Sequence, residues 1–92
     1  MPDVIDNTTA HRFELVDSGA TAFLTYRMKG EAIEYLHAET PPELQGHGVA
    51  GAIVKFALER DKAAGRKVIP TCPFVKTYIE RHPEYASLVL AS

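Results

Sequence analysis

The chain has 92 residues, enough for one domain and too few to divide into two units that each bury a useful core. At 46% hydrophobic and 24% charged residues with a formal net charge of -2, it reads as an ordinary soluble globular protein. With no basic excess, neither nucleic acid nor an anionic membrane is expected as a partner.

The chain opens on MPDVIDNTT, which has neither the basic nor the apolar region of an export signal, and no apolar run is long enough to span a bilayer. A cytoplasmic protein is therefore expected, with residues 1–10 as a loose terminus. Residues 11–16 and 21–28 are short β-rich runs, closed by Asp17-Ser18-Gly19 and by Lys29-Gly30, a pattern that predicts an antiparallel meander. Residues 32–40 alternate, placing Ala32, Glu34, Leu36, Ala38 and Thr40 on one face and Ile33, Tyr35, His37 and Glu39 on the other. Pro41-Pro42 stops that strand.

A helix follows. Val49, Ala50, Ile53, Val54, Ala57 and Leu58 recur at helical spacing, while Lys55, Glu59, Arg60 and Lys62 stay off that face. Gly65 closes the helix, Val68-Ile69 reads as a short buried strand, and Pro73 fits the first turn of a second helix. Phe74, Val75, Tyr78 and Ile79 give this helix an apolar face until His82-Pro83 ends it. The single cysteine, Cys72, has no partner for an internal disulfide and implies no cysteine-based zinc cluster, so no metal is expected.

The segment Gly46-His47-Gly48-Val49-Ala50-Gly51 matches G-x-G-x-x-G, the dinucleotide-binding fingerprint. That fingerprint needs a buried parallel strand running straight into the glycines and an acidic residue about 20 positions on. Neither is present: Pro41-Pro42-Glu43-Leu44-Gln45 intervenes, and the region near residue 71 reads Ile69-Pro70-Thr71-Cys72-Pro73. The second parse is Gln45-x-x-Gly48-x-Ala50 at the head of an amphipathic helix. It resembles the acyl-CoA loop of GNAT-type N-acetyltransferases, in which Gln or Arg is followed by two residues, Gly, one residue, then Gly or Ala. Backbone N–H groups converging at a helix N-terminus suit a pyrophosphate, and side chains at Gly46 and Gly48 would block its approach. A glycine-rich turn that merely starts a helix remains the plainer reading.

The resemblance extends over residues 36–85, which look like a small GNAT subfamily marked by Pro-Thr-Cys-Pro-Phe and His-Pro-Glu-Tyr. It implies a single truncated domain over residues 1–92 with a minimal GNAT-like α/β (α+β) fold. The sheet would be mixed and mostly antiparallel, with splayed fourth (34–40) and fifth (67–70) strands and two main helices. It also implies acetyl-CoA as cosubstrate, with the pantetheine arm in the splay along Ala38, Glu39 and Thr40. The phosphates would then lie on Gln45, Gly46, His47, Gly48, Val49, Ala50 and Gly51. Larger relatives insert helices between their first two strands, whereas here only Asp17-Ser18-Gly19-Ala20 separates the first two runs. An open acceptor side follows, suited to a protein tail or a polyamine, or completed by a partner.

Acetyl transfer needs a neutral amine, attack on a thioester and a proton for the leaving thiolate. Tyr78 matches the position at which many GNAT enzymes carry a tyrosine that can act as that acid, and Cys72 and Tyr78 would both face the bound thioester. Tyr78 reads equally well as an aromatic on the helix's apolar face. His37 and Glu39 share a face near the end of the fourth strand, where a carboxylate or a water it holds could take the amine proton; each also reads as a polar residue on a solvated face. His82 fits a helix C-terminal residue interacting with the dipole. Cys72, at a helix start that favours a thiolate, could be acylated, form a mixed disulfide with CoA, or simply pack. The expected function is acetyl transfer from acetyl-CoA to an amine acceptor, small molecule or protein. The alternatives are a CoA-binding module without turnover and a structural interaction domain.

Overall fold

The computed structural model describes residues 3–90. Five strands form one sheet in the order β1 (Val4–Asn7), β2 (Arg12–Asp17), β3 (Ala20–Lys29), β4 (Ala32–Glu39), β5 (Val68–Pro70). The first four are antiparallel and β5 runs parallel to β4. Helix α1 (Val49–Ala64) connects β4 to β5, and α2 (Pro73–Arg81) follows β5. Single 3-10 segments at Pro42–Leu44 and Pro83–Leu88 precede α1 and follow α2. This is the mixed, mostly antiparallel α+β architecture expected.

Part of the expected loose terminus is strand. Val4 pairs with Leu15 and Asp6 with Phe13; Met1 and Pro2 lie outside the described residues. A four-residue run containing Asp6 and Asn7 shows little apolar periodicity, and its stabilising contacts come from distant residues. Val4 packs on the core, the Tyr26 hydroxyl donates to Asp6 Oδ1 at 2.6 Å, and Asn7 Nδ2 donates to Glu14 Oε2 at 3.2 Å. The true first connection is therefore residues 8–11, where the Ala10 N–H donates to Asn7 Oδ1 at 3.1 Å. It carries no helix, and neither does the β2–β3 turn, where none was expected.

Ser18 and Gly19 both have positive φ, 54° and 79°. That is the two-residue hairpin geometry whose twist matches its flanking strands. The alternation expected in β4 holds only up to Tyr35. Tyr26 pairs with Tyr35, but Thr25 pairs with His37, so Leu36 is an extra residue with no partner. This bulge reverses the faces beyond it. Ala38 joins Tyr35 on the core side opposite Leu24, while His37 and Glu39 join Glu34 on the other face.

Helix α1 buries Val49, Ile53, Val54, Ala57 and Leu58 as expected, and Asp61 as well. Ala50 is only partly buried. Gly65, at φ 66°, ends the helix with its N–H directed to the carbonyls of Asp61 and Lys62. Asp61 is fully buried and accepts hydrogen bonds from the Tyr35 hydroxyl and from Arg66 Nη1, the latter at 3.3 Å. A charged residue at an apolar-face position is tolerated here because both oxygens have donors.

The pairing of β4 and β5 is short. It runs Ile33–Val68, Glu34–Ile69, Tyr35–Pro70 and stops, where the Thr71 N–H turns back to the Ile69 carbonyl at 3.0 Å instead of continuing the ladder. Thr71 and Cys72 make the last ties: the Thr71 hydroxyl donates to Glu34 Oε2, and the Cys72 N–H donates to the Tyr35 carbonyl at 2.8 Å. On its other side β5 is covered by the chain end, where Val89 bridges to Val68 and the Leu90 N–H donates to the Val68 carbonyl at 2.9 Å.

Candidate functional site

The chain leaves β4 through Thr40 and Pro41, makes one 3-10 turn, and enters α1 through Gly46 and Gly48 at φ 80° and 72°. Left-handed backbone of this kind costs a glycine little and any other residue more. A Cβ added at either glycine would meet nothing within 4 Å, so the space over the loop is open. Helix α1 has no side-chain cap and no acidic residue in its first turn. Its first intrahelical bond runs from the Ala52 N–H to the Gly48 carbonyl at 3.0 Å, leaving the preceding N–H groups of the first turn without helical acceptors. The result is a positive, uncapped helix end behind an open glycine loop.

Thr40, Gln45, Gly46, Gly48, Val49, Ala50 and Gly51 line one shallow pocket, joined by Leu44 and Phe74. Seven of the residues expected to hold the cosubstrate are thus brought together. His47 is exposed and does not line it; Ala38 and Glu39 lie upstream on β4. Gln45 Nε2 donates to the Thr40 carbonyl at 3.1 Å, so this side chain ties the loop back to the strand end. Phe74 corrects an expectation. The sequence pattern places it on the apolar face of α2, yet it is 42% exposed while Val75 and Ile79 are buried. The buried stripe of α2 is narrow, and Phe74 stands beside the glycine loop instead. An aromatic at the first turn of a helix, one residue off the buried register, was the available signal.

Tyr78 lies one turn beyond Phe74. Its Cε2 is 3.8 Å from where a Cβ on Gly51 would be, so the ring lies beside α1 at this glycine. The ring is part-buried. Burial raises the phenol above its ordinary value, and the carboxylates of Glu84 and Glu59 raise it further. The phenol is therefore protonated throughout the neutral range, the state an acid must have.

Cys72 is the N-cap residue of α2 and is 2% exposed, within the core. His37 and Glu39 stand on the sheet face opposite the one that carries Leu24 and Tyr35, both well exposed, with His37 Nε2 3.4 Å from Glu39 Oε2. Glu34 shares their face. Its carboxyl is lowered to about 2, first by the hydrogen bond from Thr71 and then by that from Arg27, whose Nε donates at 2.7 Å.

A mixed sheet whose one parallel pair parts at a proline, with a glycine loop feeding a long helix beside that strand end, is the architecture of the N-acetyltransferase class. The sequence model of the GCN5-related N-acetyltransferases matches residues 12–88, and the chain belongs to that family. The fold is similar to that of a GCN5-like candidate N-acetyltransferase from Staphylococcus aureus, solved by NMR in solution. The TM-score is 0.75 at 26% identity over 98% of this chain and 89% of that one. No curated protein sequence matches. The family's chemistry is acetyl transfer, generally with acetyl-CoA as donor. Among the described residues, no helix is long and apolar enough to cross a membrane.

Proposed function

We propose that this chain binds acetyl-CoA and transfers its acetyl group to a primary amine, on a protein tail or a polyamine. The observation that carries this reading is the uncapped N-terminus of α1 behind Gly46 and Gly48, with open space where their Cβ atoms would be. Backbone N–H groups there suit a pyrophosphate. The pantetheine arm would follow residues 38–40 into the gap beyond the Tyr35–Pro70 pair, where the strand edge has lost its partner.

In the proposed reaction, Glu39, or a water it holds beside His37, takes the amine proton. The amine nitrogen attacks the thioester carbonyl, the carbon–sulfur bond breaks, and the Tyr78 phenol protonates the departing thiolate. Tyr78 and the Glu39–His37 pair belong to opposite faces of the sheet, so acid and base would reach the thioester from the two sides of the gap. Glu59 and Glu84 disfavour the phenolate, which favours rapid return of its proton from water. Deep burial of the Cys72 thiol supports direct attack over an acetyl-cysteine intermediate. The absence of helices between the early strands supports a bulky acceptor.

Incubation with acetyl-CoA and a set of acceptors, spermidine and lysine-containing peptides among them, tests the reading. Acetylated product, with a kcat lowered about a hundredfold in Tyr78→Phe, is the expected result. Acetyl-CoA should raise the melting temperature and NAD should not. Stabilisation by acetyl-CoA without transfer to any amine would leave a binding module in place of an enzyme.

A further inference from the structure

We infer that His82-Pro83-Glu84-Tyr85 is a lock that fixes the Tyr78 ring against Gly51, with His82 as the positioning residue. The geometry stands alone; its catalytic meaning rests on the acid role proposed for Tyr78.

His82 touches Tyr78 in two ways. The rings stack at 3.9 Å between centroids and 15° between planes, and Nδ1 lies 2.8 Å from the Tyr78 carbonyl oxygen. A carbonyl can only accept, so Nδ1 carries the proton and donates. That bond satisfies a carbonyl in the last turn of α2, one of those left without helical donors. The His82 backbone N–H also donates to Ile79, at 3.1 Å. One residue therefore ends the helix and covers a face of the tyrosine ring.

The remaining residues hold His82 in place. Pro83 cannot continue α2 and opens the 3-10 segment. That segment carries Tyr85, whose buried ring lies 6.2 Å from Tyr78 and whose hydroxyl donates to Glu59 Oε2 at 2.5 Å. Glu59 belongs to α1, so the tether ties the 3-10 segment that follows α2 to the helix that carries Gly51. The charged and titratable groups facing Tyr78 are thus His82, Glu84 and Tyr85 from the end of the chain and Glu59 from α1. With α1 at its edge and His82 on its face, the ring keeps one position and its hydroxyl stays directed where the lock leaves it.

Titration of the tyrosine 13Cζ signals by NMR tests the lock without any acceptor. The chain has four tyrosines, and Tyr78→Phe assigns the relevant signal. In His82→Ala the Tyr78 phenol should titrate at lower pH than in wild type and its ring should flip faster, because water reaches the uncovered face. His82→Phe keeps a stacked ring and should restore both. Tyr85→Phe, which removes only the tether to Glu59, should shift the signal in the same direction by less. In acetyl transfer to spermidine, His82→Ala should lose about tenfold or more in kcat, with the KM for acetyl-CoA little changed. An unchanged Tyr78 signal in His82→Ala, or a His82→Phe variant that behaves as His82→Ala does, would overturn the inference. A wild-type kcat in Tyr78→Phe beside a shifted signal in His82→Ala would remove the acid role and leave the lock intact.

Discussion

Replacing Tyr35 with phenylalanine deletes one oxygen atom and tests the buried centre of the fold. Tyr35 and Asp61 are both fully buried, and the hydroxyl donates to Asp61 Oδ2. Without it, Asp61 keeps only Arg66 Nη1 at 3.3 Å, from a side chain that is partly solvated. A buried hydrogen bond to a charged group contributes about 1.5–3 kcal/mol, and the orphaned oxygen keeps its desolvation cost. In a domain this small each 1 kcal/mol lowers the melting temperature by roughly 4–8 °C, so a fall on the order of 10 °C is expected.

The pH dependence follows from the same cluster. Burial raises the Asp61 carboxyl above its ordinary 3.8, so in the window between 3.8 and the raised folded value the native state holds a proton that the unfolded chain has released, and above that window the carboxylate is charged. Stability from this group is therefore full below 3.8 and declines as pH rises through the folded value. Because the Tyr35 hydroxyl lowers that value, Tyr35→Phe should move the decline to higher pH, and Asp61→Asn should abolish it. Urea denaturation followed by circular dichroism from pH 4 to 8, on both single variants and the double variant, measures all of this. A Tyr35→Phe cost under about 0.5 kcal/mol, or the same cost with Asp61→Asn present, would refute the reasoning, since coupled neighbours should not add.

Two further outcomes are expected. Glu34, lowered to about 2 from 4.5, contributes stability that is complete above 4.5 and lost as pH falls toward 2; Glu34→Gln should therefore flatten the acid limb of the denaturation profile. Cys72→Ala should cost about 1–2 kcal/mol as a small cavity yet retain acetyl transfer, and intact mass spectrometry of the wild type with acetyl-CoA should show no hydroxylamine-labile adduct.

Which features were legible in the sequence depended on whether their cause was local. The β2–β3 hairpin announced itself through Asp17-Ser18-Gly19, and α1 through its spacing and Gly65, because turn chemistry and helical period are written in neighbouring residues. Strand β1 was not legible, since its stabilising partners, Leu15, Glu14 and Tyr26, come from later strands. Nor was the Leu36 bulge, because a register shift belongs to the pairing of two strands and leaves no mark in one. It is the bulge that separates His37 and Glu39 from the face of Tyr35. In the site, the glycine loop was legible as a motif, while the placement of Phe74 depended on which side of α2 meets the core. The His-Pro-Glu-Tyr run stood out as a pattern, but its contacts with Tyr78 and Glu59 required the fold.

Calorimetric titration of acetyl-CoA into the wild type and into Gly48→Ala tests the central claim most directly. Gly48 sits at φ 72° with open space beyond its Cα, so alanine adds a methyl group over the loop and a modest backbone strain. The wild type should bind one acetyl-CoA per chain, and folded Gly48→Ala, verified by circular dichroism, should bind at least about tenfold more weakly, a loss of roughly 1.4 kcal/mol. A wild type with no affinity for acetyl-CoA, or a folded Gly48→Ala that binds it unchanged, would contradict the account.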